Sequence, residues 1–208
     1  MASTATTTIT ITPIKRERIM VPIKGTSGLI IHAWDEKAKR KMLGAQQGKK
    51  EPREHRNPEE EYKACFYRTV DGKYGFPTLA FKAATVGAAR CWGKQLKMTE
   101  LRQFLWFSGL LSEDKTLTLT EIKGEPFMRE DMVTVGMGTD LRYRPEFLEW
   151  SAILDVTYTA TTLSRDAVLN LIEAGGMGVG VGDWRVEKKG DHGMYAIDTS
   201  REVEVVPQ

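Results

Sequence analysis

Cysteine and histidine are both scarce in this chain. Two cysteines, Cys65 and Cys91, and three histidines, His32, His55 and His192, are spread over 208 residues. That is too few for a disulfide framework and too scattered for a zinc cluster, so the sequence predicts no metal and no cofactor. Long apolar runs are missing too. No stretch approaches the roughly 18 residues that cross a bilayer, and the N-terminus shows no charged segment leading into an apolar core. A cytoplasmic protein without a membrane partner is therefore expected. Charge of one sign is the third absence. Thirty Lys and Arg stand against 28 Asp and Glu, a net charge of +2, so any case for a polyanionic partner must come from local clusters. What remains is ordinary globular material, 41% hydrophobic and 28% charged, of a length that suits one domain.

Glycine is concentrated in one place. Seven of the 21 residues from Gly175 to Tyr195 are glycine, interleaved with Trp184, Arg185, Lys188, Lys189 and His192. Bare backbone, one flat ring and several cations make a surface that can hold a phosphate backbone and stack a base. The competing reading is a tight helix-to-strand connection with Trp184 buried and the lysines solvated. The segment does not match the G-x-x-x-x-G-K-[ST] phosphate loop. Its alternating glycines follow a helix pattern rather than open one, which disfavours a dinucleotide fold.

Along the chain, the ITIT run before Thr12, the segment Arg18 to Lys24 and the segment Thr26 to Trp34 read as extended, with Pro22 marking an edge or a break. Residues 35–63 are dense in both charges and poor in large apolar residues. They read as a short helix capped by Asp35 that gives way to a long solvated loop, an insertion within a single domain spanning 1–208. Phe76 to Lys97 follows as a helix opened by Pro77 and Thr78, with Leu79, Ala83, Val86, Arg90 and Lys94 at helical spacings. Thr99 then caps a second helix, ELRQFLWFSGLL. Strands are expected at Thr116 to Ile122, Met132 to Gly136 and Ser151 to Ala160. Arg142, Tyr143 and Arg144 form a basic and aromatic patch placed on a loop before Pro145. Ser164 caps a helix ended by Gly175, and Gly193 to Val206 is extended. Strands separated by a few helices, without regular alternation, indicate an α+β sheet with helices on one face.

Three pieces in this order resemble the RAMP superfamily, which includes the repeat-associated backbone subunits and processing nucleases of CRISPR effector complexes. They are the first strand ending TSGLIIHAW, the segment GFPTLAFKAATVGAAR with Lys82 and Arg90, and the C-terminal helix followed by GGMGVGVGDWR and GDHGMYAI. The resemblance implies a ferredoxin-like, RRM-like antiparallel sheet, with residues 35–63 as a thumb-like arm. It also implies RNA held along the backbone of a head-to-tail homo-oligomer or filament. A short, threonine-rich chain of this kind also fits a stand-alone phage protein. Single-stranded RNA, or DNA, would be contacted by Lys82, Arg90, Arg142, Tyr143, Arg144, Trp184, Arg185, Lys188 and Lys189. Two other readings stay open. One is an endoribonuclease using Asp35, on the loop after the first strand, or His192 as the acid–base group. The other is a subunit mimic that docks on a host protein complex.

Overall fold

The computed structural model describes residues 13–33, 36–48, 55–136 and 138–207. The expected strand before Thr12 and the candidate Asp35 lie outside them. The first described strand, β1 (Arg16–Gly25), alternates so that Ile19, Val21 and Ile23 all point into the core. It pairs antiparallel with β10 (Ser151–Thr159), from Arg16 opposite Thr159 to Lys24 opposite Ser151. On its other side β1 meets two short strands, β11 (Tyr195–Ile197) and β12 (Glu204–Val206). The far side of β10 carries β5 (Leu105–Ser108) at one end and β7 (Thr118–Lys123) at the other.

Helix α3 (Thr78–Gly87) lies between β1 and β5 in the chain, and α5 (Arg165–Gly178) between β10 and β11. The spatial order β11/β12, β1, β10, β5/β7 with every pair antiparallel is a twice-repeated split β-α-β, the ferredoxin-like arrangement. The α+β expectation holds. Phe81 and Ala84 of α3 and Val168, Leu171 and Ile172 of α5 fill one core with the inward residues of β1 and β10.

Several local expectations are corrected. Gly175 does not end α5: the helix continues to Gly178, and Gly175 is where it touches α3. A Cβ there would stand 2.8 Å from the Ala84 carbonyl carbon and oxygen, so two helix backbones meet with nothing between them. Pro22 is not at an edge, because β1 is internal to the sheet. The Pro22 carbonyl accepts from Asp198 N–H on the β11/β12 side, so its hydrogen-less nitrogen faces that side as well, between the end of β11 pairing and the start of β12 pairing. The long helix from Phe76 splits into α3 and a 3₁₀ stretch, Ala88–Gln95, interrupted at Gly93. Its buried face carries Phe81, Ala84 and Thr85, whereas Leu79 is exposed.

The ELRQFLWF run starts as α4 (Met98–Phe104) after Lys97 and then becomes β5. Leu105 is buried, while Trp106 is turned out under the Arg16 guanidinium. Trp106 and Phe107 are strand-favouring aromatics, and pairing with β10 fixes the segment as a strand.

Around this core stand smaller elements. β2 (Leu29–Ile30) leads to α1 (Glu36–Gln46) and α2 (Pro58–Ala64), and β3 (Tyr67–Arg68) and β4 (Tyr74–Pro77) extend the sheet through β7, which also pairs β6 (Leu110–Leu111). Helix α2 was expected to be loop. Asn57 caps it by accepting from the Glu59 and Glu60 N–H groups, and Pro58 opens it. A second sheet, β2–β9–β8, is dominated by the hairpin of β8 (Pro126–Val135) and β9 (Gly138–Phe147), each arm roughly 33 Å long at strand rise. Arg142, Tyr143 and Arg144 therefore sit on a paired strand, not a loop. Among the described residues, no helix is long and apolar enough to cross a membrane.

Candidate nucleic-acid interface

Register decides which side chains of the hairpin share a face. Arg129 is opposite Arg144, Asp131 opposite Arg142 and Phe127 opposite Glu146, so this face carries charges of both signs in close array. Arg129 donates to Asp131 Oδ1 (2.7 Å) and Glu146 Oε2 (2.8 Å). Arg144, only 3% exposed, donates to Asp131 Oδ2 and Asp183 Oδ2, both at 2.6 Å. Asp183 belongs to the glycine-rich segment, so this lattice fastens the loop to the hairpin. His32 Nδ1 faces Asp183 Oδ2 at 3.4 Å and His192 Nε2 faces Glu146 Oε1 at 3.4 Å, bringing both histidines to the same junction. His192 Nδ1 stands 2.7 Å from Asp191 Oδ1 but outside hydrogen-bond geometry. Burial pushes the Asp183 carboxyl upward, but hydrogen bonds from His32 and Arg144 and their charge outweigh it and hold the group below its usual range.

Trp184 rides on this lattice with a left-handed backbone (φ 53°) that is uncommon outside glycine. Its carbonyl accepts from His192 N–H, and a Cβ at Gly190 would stand 1.7 Å from that oxygen. The indole lies 5.0 Å from the Arg129 guanidinium and 5.3 Å from that of Arg144. These are cross-strand neighbours, so both meet the ring from the hairpin side. The residue is 39% exposed, and the His192 ring meets the indole edge-on with centroids 5.9 Å apart.

Three concavities run from the hairpin past this loop to α3. The first, about 380 Å³, lies between α2 and β9 and takes in Arg56, Arg142, Glu61, Asp140 and His32. The second, about 220 Å³, shares His32 and passes under the glycine-rich segment to Arg185 and Glu187. The third, about 370 Å³, shares Ala83 and Glu187 and is lined by Lys82, Arg90 and Arg102 over Leu79, Val86 and Met98. Arg90 and Arg185 both donate to Glu187, and their bonds hold its carboxyl below the usual range against the effect of burial. Lys82 donates to the Arg102 carbonyl. Burial, with the Arg102 charge beside it, lowers its ammonium below the ordinary lysine range.

Of the residues singled out from sequence, Lys82, Arg90, Arg142, Tyr143 and Arg185 line these three concavities. Lys82 and Arg90 lie at the α3 end, Arg185 in the middle, and Arg142 and Tyr143 at the hairpin end. Trp184 and the exposed Lys188 and Lys189 are on the loop beside them. Arg144 lies beneath, buried and paired. Sequence reading missed Arg56, Arg102 and Arg129. The charged run R-E-D at 129–131 was the available signal, legible only once the strand is extended back to Pro126. Among the described residues no group of three or more His, Cys, Asp or Glu is placed to hold a metal ion.

No family model and no curated protein matches the chain. Solved structures to which the chain is similar include the following two. One, the cryo-EM structure of the Type III-B Cmr-beta bound to cognate target RNA, matches at a TM-score of 0.48 and 9% identity over 92% of this chain and 61% of that one. The other is the crystal structure of Cmr6 from Pyrococcus furiosus, at a TM-score of 0.43 and 10% identity over 88% of this chain and 99% of that one. The chain thus spans about three fifths of the first structure's chain and nearly all of the second's.

Proposed function

We propose that this protein binds single-stranded nucleic acid, RNA in preference to DNA, along the track of three joined concavities. The observation that carries the reading is that neighbouring concavities share lining residues, His32 and then Ala83 and Glu187, with cations in every segment and Trp184 on the loop beside them. Arg56, Arg142, Arg185, Arg90, Arg102 and Lys82 line the track against Glu61, Asp140, Asp183 and Glu187. Six cations against four carboxylates leave a local excess of two on this surface, as large as the net charge of +2 of the whole chain. Lys188 and Lys189 extend the cationic surface, and the outward face of Trp184 stacks a base. Arg144 acts beneath the surface by holding Asp183 and the indole in place. The preference for RNA rests on the sequence resemblance described above.

A labelled 30-mer tests the proposal by fluorescence anisotropy. Raising salt from about 50 to about 200 mM should weaken binding about a hundredfold if some five phosphates are contacted. Trp184→Ala should cost about tenfold at fixed salt. Lys188→Ala with Lys189→Ala should flatten the salt slope. No binding at the lower salt would overturn the reading.

A further inference from the structure

We propose that the third concavity, between α3 and α4, receives one end of the bound strand as a terminal phosphate monoester. This rests on the nucleic-acid reading above and adds to it the part of the strand that docks there. Charge is unevenly spread over the three concavities. In the first, Arg56 and Arg142 stand against Glu61 and Asp140, while Arg144 beneath is already held by Asp131 and Asp183. In the second, Arg185 stands against Asp183 and Glu187. In the third, Lys82, Arg90 and Arg102 face Glu187 alone, so three cations less one carboxylate leave an excess of two. A phosphodiester inside a strand carries one negative charge, whereas a terminal monoester carries about 1.5 to 2 at pH 7. The excess matches the monoester.

The surroundings of Lys82 point the same way. Its Nζ donates to the Arg102 carbonyl at 3.1 Å, and an ammonium has two further hydrogens to give. Among the described residues no carboxylate pairs with Lys82 or with the Arg102 guanidinium. Burial and the Arg102 charge both work against the ammonium, and an anion shared by the two cations relieves that repulsion. Arg90, bonded to Glu187 at 3.2 Å, brings the third cation to the same concavity. Leu79, Val86 and Met98 give an apolar wall for a sugar and base, and the volume of about 370 Å³ falls in the range of pockets that hold a small ligand, enough for a terminal nucleotide. Ala83 and Glu187 also line the second concavity, so a strand that ends here continues along the track.

One sequence, labelled internally and made with a 5′-phosphate, with a 3′-phosphate or with hydroxyls at both ends, tests this by anisotropy at one salt concentration. One phosphorylated strand should bind about tenfold more tightly than the hydroxyl strand near pH 7, and which of the two it is gives the polarity of the strand on the track. The gain should shrink at about pH 5.5, below the monoester's second pKa of about 6, where the second charge is lost. Lys82→Met and Arg102→Gln should each remove most of the gain, measured against the hydroxyl strand in the same variant. Circular dichroism identifies a variant that fails to fold, and the other then decides. No gain at either end, equal gains at both, or a gain that persists at the lower pH or in a folded variant would overturn the terminal site. Failure of all three strands to bind at low salt would sink the underlying reading instead.

Discussion

At position 144 a guanidinium is shut between two carboxylates, Asp131 and Asp183, with Trp184 across it. Removing it leaves Asp131 buried and only half paired, so Arg144→Met should cost about 3 kcal/mol in urea denaturation, and adding Asp131→Leu should recover part of the loss. The pH dependence has a definite sign. Asp183 is held below the usual carboxylate range when folded, so its stabilisation is present above the unfolded pKa of about 4. It is lost as the pH falls through the folded value. The urea midpoint should drop below about pH 4, and Arg144→Met should shrink that acid limb. The cysteines differ as well. Burial pushes the Cys65 thiol up to about 11, whereas Cys91 is exposed. A thiol reagent at neutral pH should therefore modify one site rapidly and the other only on unfolding. None of this was legible in the sequence beyond residue type. Arg144 reads as one more cation of a basic patch until the register with β8 shows what lies opposite.

Elements were legible where the local signal and the tertiary demand agree. Ser164 accepts from the Ala167 N–H as its position before an amphipathic run implies, and β10 falls where β-branched alternation places it. They were misread where a partner strand or helix decides. Leu105 to Ser108 continues an apolar run that reads as helix but pairs with β10 as a strand, and the glycines at 175 and 176 look like a stop signal but are contacts, Gly175 against α3 and Gly176 against Tyr195 of β11. The interface of α3 with α5 should be correspondingly intolerant. Gly175→Ala forces a methyl against the Ala84 backbone and should lower stability by about 2 kcal/mol, read as a shift in the denaturation midpoint at constant slope. At the other end of the site, Arg56 ties α2 to the hairpin through Glu61, Asp140 and the Leu141 carbonyl. It is nearly half exposed, so Arg56→Ala should change global stability little. It should instead speed hydrogen exchange across α2, a local loosening of one wall of the first concavity.

For the whole molecule, the α+β class could be read from the order of patterns, but the track could not. It is assembled from α2, β9, the glycine-rich segment, α3 and α4, which meet only in the folded chain. Excising 43–54 spares the Asn57 cap and Arg56, and should leave a cooperatively folding protein by circular dichroism. If residues 35–63 act as an arm that another copy receives, assembly is head-to-tail, since such contacts propagate rather than close. Light scattering with and without a long single strand measures this, and a monomer in both conditions would reject it. The stepped margin of the main sheet bears on where copies could meet. Because β11 and β12 cover β1 in two short pieces with Pro22 at the gap, that side offers no long run of free amides for another strand to copy. The outer side of β8 is a different matter: ten residues long and last in its sheet, it is the place where crowding would first show, as slow conversion to cross-paired aggregates. A lysine at Met132, 74% exposed on that strand, would be the economical way to keep concentrated protein in solution.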